Sequence, residues 1–267
     1  MNYKKRPPRP QSQGINLKKQ FGQHFLRDHS VVENMIENVT LTPKTSVFEI
    51  GCGDGFLTSA ILHQKIERLW VFEIDPEWAD YVKKTYPDER LTVHLENFLD
   101  VDFERLKPHA PWTILANLPY QVTFPIIYTF RDNRHLINEG VIMIQEEVAQ
   151  KIVKTEGRGY GFPALFLQHV FDFKLLKKIA PSAFFPPPKV TSRLLYFKPK
   201  AVVDEIPQEQ EFWKFIKYCF HQPRRTLKNN LEQYHYDLTK VPEVTLQLRA
   251  QQMSKADLLK VWDLLRT

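Results

Sequence analysis

Apolar residues gather along the first half of the chain in short runs set apart by mixed stretches. Val47-Phe48-Glu49-Ile50, Leu69 to Ile74, 91–95, 112–117 and 140–145 are each rich in β-branched and aromatic residues. They are too short for stable helices, so they predict buried strands. Between them, 55–64, 76–85 and 123–131 carry apolar residues at helical spacing. Strands alternating with helices predict an α/β fold with a doubly wound parallel sheet. Ahead of the series, Asp28 to Asn38 reads as a helix with Val31, Val32, Met35 and Ile36 on one side. Behind it, Phe162 to Val170 reads as a helix, and Phe171 to Ile179 with Arg193 to Lys198 as closing strands.

The pattern changes near Pro199. Residues 199–209 hold Pro199 and Pro207 among mixed charges, which predicts a linker. Glu211 to Phe220 is amphipathic, and Pro223 suits the first turn of a helix running through Arg224, Arg225 and Lys228. Ser254 with Asp257 predicts the capped start of a last helix bearing Leu258, Leu259, Val261, Trp262 and Leu265. The expected organisation is a flexible basic tail over 1–16, a sheet domain over 17–199 and a small all-helical C-terminal domain over 200–267.

Two loops carry candidate chemistry. The strand at Val47 runs into Gly51-Cys52-Gly53-Asp54-Gly55 and then into a helix. Gly51 and Gly53 permit positive φ and close approach of backbone to a ligand. A dinucleotide-binding loop wants a further glycine at position 56, where Phe56 stands, so the tight form favours S-adenosyl-L-methionine over NAD. Glu73 ends the next strand, where a carboxylate can take ribose hydroxyls; the bland alternative is a solvated strand end. The second loop is Asn117-Leu118-Pro119-Tyr120, at the carboxyl end of the 112–117 strand. Asn117 offers a side-chain carbonyl and Leu118 a backbone carbonyl, two acceptors for one exocyclic amino group. Pro119 stiffens the turn and Tyr120 offers a face for a planar base. This arrangement suits methylation of an aromatic amine, and its alternative is a turn with a core tyrosine.

Composition narrows the setting. A hydrophobic share of 43% with 13% aromatic is globular, and the run lengths reach no membrane span. Cys52 and Cys219 form no disulfide framework, which fits a reducing cytoplasm, and zinc spacing is absent. The net charge of +6 suits a nucleic-acid partner. Its distribution adds weight: Lys4, Lys5, Arg6, Arg9, Lys18, Lys19 and Arg27 all precede the first acid, Asp28.

The chain resembles the ribosomal RNA adenine dimethyltransferase family, its small-subunit branch above all. The resemblance rests on Phe21-Gly22-Gln23-His24-Phe25-Leu26, the glycine loop, Asn117-Leu118-Pro119-Tyr120, the segment from Pro181 to Val190, and Arg224-Arg225-Thr226-Leu227-Lys228-Asn229-Asn230-Leu231. It runs from about Lys18 to the C-terminus and implies a Rossmann-like S-adenosyl-L-methionine-dependent methyltransferase with an antiparallel last strand. His24 and Leu26 then belong to a segment crossing the cofactor, and Asn97 to the adenine pocket. Phe184 would cover the target adenine opposite Tyr120, with Phe185 the less favoured neighbour. Lys189, Arg224, Arg225 and Lys228 would meet RNA phosphates; otherwise they form a solvated face. His24, Asn97, Gln121 and Phe124 stand where the family usually has Asn, Asp, Asn and Thr, which puts pocket detail in question. The implied substrate is two adjacent adenosines in the 3′-terminal hairpin of small-subunit RNA within an assembling 30S particle, and the expected protein is monomeric. The rivals are a large-subunit (23S) adenine methyltransferase of the antibiotic-resistance type, an assembly factor with secondary methylation and, more distantly, an NAD oxidoreductase.

Overall fold

The computed structural model describes residues 11–18 and 23–266. Lys4, Lys5, Arg6, Arg9, Lys19, Phe21 and Gly22, named above, lie outside the described residues. The chain divides into two compact units, one comprising residues up to Glu146 with Phe173–Pro199, the other Glu147–Asp172 with the chain from Lys200 onward.

The first unit opens with three short strands, β1 (Gln11–Ser12), β2 (Ile15–Asn16) and β3 (Phe25–Leu26), then α1 (His29–Glu37). The doubly wound series follows: β4 (Ser46–Ile50), α2 (Phe56–Leu62), β5 (Arg68–Glu73), α3 (Pro76–Thr85), β6 (Leu91–Leu95), β7 (Trp112–Asn117), α4 (Thr123–Asp132) and β8 (Ile137–Gln145). A seven-stranded sheet results, in the order β6-β5-β4-β7-β8, then the two closing strands. The pairs β4–β5, β4–β7, β5–β6 and β7–β8 are parallel. β4 is buried along its whole length and β7 up to Asn117, as strands covered on both faces must be. The chain leaves β4 toward β5 on one side and returns to β7 on the other. The crevice at their carboxyl ends is the topological switch point, where such sheets bind ligands.

After β8 come α5 (Glu146–Val153) and α6 (Phe162–Gln168), then β9 (Phe171–Ile179), β10 (Phe184–Phe185) and β11 (Ser192–Pro199). β11 lies antiparallel against β8, the arrangement the resemblance implies, and β9 closes the edge beyond it. β8 starts at Ile137, earlier than the apolar run suggests, because Glu139 interrupts the run yet is buried. Its carboxylate accepts from the Thr40 amide at 2.7 Å and the Tyr196 hydroxyl at 2.8 Å, which satisfies it inside the sheet.

Three expectations need correction. Residues 11–16 are not tail: β1 and β2 form a hairpin whose loop residues, Gln13 and Gly14, both have positive φ. Ser12 is buried, and its hydroxyl donates to Asp54 of the glycine loop at 2.9 Å. Second, the boundary at 199/200 is incomplete, because residues 147–172 cluster with the C-terminal chain. Tyr160, Ala164 and Leu165 share a core with Phe212, Phe215, Ile216 and Trp262, and Phe166 sets its ring 5.1 Å from Trp213. This second unit also holds α7 (Glu209–Cys219), α8 (Leu227–Leu231), α9 (Glu243–Leu246) and α10 (Lys255–Leu265). Ser254 and Asp257 cap α10 reciprocally. Third, Arg224 and Arg225 precede α8 rather than ride on it. The Thr226 hydroxyl caps α8 by accepting from Asn229 N–H, and the buried Asn230 side chain bonds both the amide and the carbonyl of Gln222, folding 222–226 into a turn.

Candidate active site

A cavity of about 400 Å³ lies at the switch point. Its walls come from β3, the loop after β4, the end of β5, the loop after β6 and the turn after β7. His24, Leu26, Gly51, Gly53, Glu73, Asn97, Asn117, Leu118, Pro119 and Tyr120, spread over the first half of the sequence, all line it.

The glycine loop takes its shape from positive φ at Gly51 (73°) and Gly53 (51°). A Cβ on Gly53 would enter the ring of Phe25, which closes the loop from the β3 side. Glu73 is buried, not a solvated strand end. Its carboxylate accepts from Gly53 N–H at 3.2 Å and Asp75 N–H at 2.9 Å, tying the loop to β5. Burial raises its pKa, while those backbone donors oppose the rise. Asp54 bonds Ser12 and forms an ion pair with Arg27, so the hairpin is fastened to the same loop.

Glu49 carries no role in the expectations above. It lines the cavity at 1% exposure, accepts from the Thr58 hydroxyl at 2.7 Å, and its pKa is pushed up to about 8 by burial. The signal for it is an acid inside an otherwise apolar strand, one residue short of a glycine loop. Ile74 is a second such residue; it lines the cavity and is half exposed.

Asn117 ends β7 with its side-chain amide fixed. Nδ2 donates to the His24 carbonyl at 3.3 Å, and since a carbonyl only accepts, this sets which end of the amide is which. Oδ1 is left as the acceptor. Leu118 N–H donates to Met143 of β8 at 3.1 Å, which anchors the turn to the sheet. The Tyr120 hydroxyl bonds Ser192 at 2.7 Å, and burial raises the phenol's pKa, keeping it protonated. The His24 ring stacks on Tyr120 at 6.2 Å, and its Nδ1 donates to the Pro186 carbonyl at 2.7 Å. Asn97 caps the turn after β6: Oδ1 accepts from Leu99 N–H at 3.2 Å and Nδ2 donates to Asp100 at 2.9 Å. Gln121 reaches the cavity wall, whereas the Phe124 ring lies against Tyr128.

Phe184 does not line the cavity, contrary to expectation. At 4% exposure it belongs to the core cluster that includes Leu26, and β10 pairs it with Leu26 of β3. Strand alternation turns Phe185 the other way, and Phe185 is 44% exposed. Lys189 is exposed in the first unit; Arg224 and Arg225 are exposed in the second, where Lys228 faces Glu243 at 3.5 Å. Among the described residues no cluster of His, Cys, Asp and Glu could hold a metal, and no helix is long and apolar enough to cross a membrane.

A doubly wound sheet with a glycine loop, a buried acid at the second strand end and an oriented amide acceptor defines a Rossmann-like methyltransferase. A dimethyladenosine transferase from Plasmodium falciparum has a similar fold, with TM-score 0.73 at 22% identity over 89% of this chain and 96% of that one. The 23S rRNA methyltransferase ErmE is similar at TM-score 0.69 and 21% identity, over 91% and 100%. Residues 14–267 match the family described as ribosomal RNA adenine dimethylase, and the chain belongs to it. It is 38% identical to the ribosomal RNA small subunit methyltransferase A of Chlorobaculum tepidum, over 94% of this chain and 90% of that protein. The protein of that name from Mesomycoplasma hyopneumoniae is 36% identical, over 80% and 81%.

Proposed function

We propose that this enzyme moves methyl groups from S-adenosyl-L-methionine to the exocyclic 6-amino group of two adjacent adenosines near the 3′ end of 16S rRNA, during assembly of the small ribosomal subunit in the cytoplasm, and that it works as a monomer. The observation that carries this reading is the pinned Asn117 amide: its donor end is used by His24, so the free end is an acceptor. An amine held through its hydrogens by that oxygen and by the Leu118 carbonyl presents its nitrogen lone pair away from both. Tyr120, held by Ser192, supplies the flat surface that keeps the base plane fixed. Orientation of this kind supplies most of the acceleration, because the amine needs no strong base before it attacks.

The cavity's donor set fits the cofactor. Glu73 suits ribose hydroxyls, and Ile74 and Asn97 an adenine. When bound, S-adenosyl-L-methionine supplies a methyl on a sulfonium that an amine can take in line. Phe184 acts in this reading through β10, by holding Leu26 in the cavity wall. Lys189, Arg224, Arg225 and Lys228 bind RNA phosphate.

The test offers labelled cofactor with purified small or large subunits and locates dimethyladenosine by mass spectrometry. Paired dimethyladenosines near the 3′ end of small-subunit RNA are expected. Label confined to large subunits would instead favour the activity named for ErmE, whose fold is also similar.

A further inference from the structure

We infer that the first unit carries its own RNA-backbone site, a cleft beside the cavity lined by Arg27, His29, Lys177 and Lys178, which takes phosphates of the nucleotides flanking the target base. This rests on the RNA reading above. The cleft has a volume of about 500 Å³ and lies between the start of α1 and the end of β9. Four basic side chains line it and a single acid, Asp28. Asp28 is already engaged, accepting from the Ser30 amide and hydroxyl. Arg27 is partly neutralised by Asp54, and the Lys177 ammonium donates to the Ser30 hydroxyl at 2.7 Å. Lys178 is exposed and in no ion pair among the described residues. The cleft therefore has donors and positive charge to offer, and phosphate oxygens accept both.

Its position supports this partner. Leu26 lines the cavity, and the next residue, Arg27, lines the cleft. The seam is fixed, because Arg27 N–H donates to the Ala183 carbonyl at 2.8 Å, directly beside the β3–β10 pairing. A polynucleotide whose base enters the cavity has this rim within reach of its backbone. The competing explanation is that lysines on an edge strand discourage strand-to-strand aggregation, which needs no ligand.

Salt dependence separates the two. Binding of the full chain to purified small subunits is measured over a salt series, for the unmodified protein, Lys177→Ala/Lys178→Ala, and Lys83→Ala/Lys84→Ala. The last removes the same charge from α3. If the cleft holds phosphates, the first double variant lowers the log–log slope by about 1.4–1.8, at roughly 0.7–0.9 for each phosphate no longer neutralised. Affinity falls more than for the α3 variant, and cofactor affinity is unchanged in both. Lys177→Glu/Lys178→Glu should weaken binding further. Equal slopes for the two alanine variants overturn the cleft and leave the proposed function standing. An unmodified chain that binds no small subunit overturns the reading beneath it, and the cleft with it.

Discussion

At the scale of single residues, the site depends on which end of each polar group is already used. Asn117 has its Nδ2 end turned to the His24 carbonyl and Oδ1 left as acceptor, so Asn117→Ala should lower turnover by a large factor while leaving cofactor affinity nearly intact. Single-turnover rates beside calorimetric cofactor titration check this; a wild-type rate would remove Asn117 from the chemistry. Tyr120 is positioned by the Ser192 hydroxyl, so Ser192→Ala and Tyr120→Phe should slow methyl transfer alike, and the double variant no further. Glu49 gives a pH signature. It titrates near 8 when folded and near 4.5 in water, so between those values the native state keeps a proton that the unfolded chain has shed. Its contribution is whole below the lower value and is lost as pH rises through the upper, by up to about 1.4 kcal/mol per pH unit. Urea denaturation of the cofactor-free protein at several pH values should show this fall, flattened in Glu49→Gln. Much of the cavity lining is legible in the sequence, because glycines, a strand-end acid and Asn-Leu-Pro-Tyr are chemically unusual in apolar surroundings. Phe184 is not, because two adjacent phenylalanines look alike until the strand settles which one turns inward. Glu49 is legible only as an acid inside an apolar strand beside the glycine loop; its bond to Thr58 and its raised pKa come from the fold.

At the scale of elements, boundaries are legible where apolar runs coincide with strands, as at β6 and β7, and where a cap is written in sequence. Ser254 and Asp257 announce α10, and Asp75 with Pro76 starts α3. They are illegible where a polar residue is satisfied by a distant partner. Glu139 hides the start of β8, and the hairpin of β1 and β2 depends on Ser12 meeting Asp54. The turn holding Arg224 and Arg225 belongs with these, since Asn230 shapes it from within α8. Asn230→Ala leaves the Gln222 amide and carbonyl without that partner and should cost about 1–3 kcal/mol in urea denaturation. Binding to small subunits should weaken too, although no charge is removed.

At the scale of the whole molecule, the basic excess is carried by both units. Arg224→Ala/Arg225→Ala should bind small subunits more weakly, with a salt slope shallower by slightly less than about two. Cofactor affinity should not change, because every residue lining the cavity belongs to the first unit. Filter binding across a salt series checks both statements; an unchanged slope would return these arginines to an ordinary solvated surface. Sequence order suggests a single break near Pro199, because local periodicity reports what each segment is and not which core receives it. The membership of residues 147–172 is a long-range fact, carried by Tyr160, Leu165 and Phe166.

That interleaving decides how the protein can be taken apart. Stopping translation after Pro199 retains α6 but discards the chain that shelters it, so Phe162, Phe166 and Leu165 meet water in a fragment that still ends with the sheet strand β11. Such a fragment should be expressed poorly and self-associate, as light scattering would reveal. Excising 147–172 and joining Glu146 to Phe173 through a short Gly/Ser bridge should release a dispersed, cofactor-binding piece instead. For protein engineers, the helical unit is one inserted loop plus one tail.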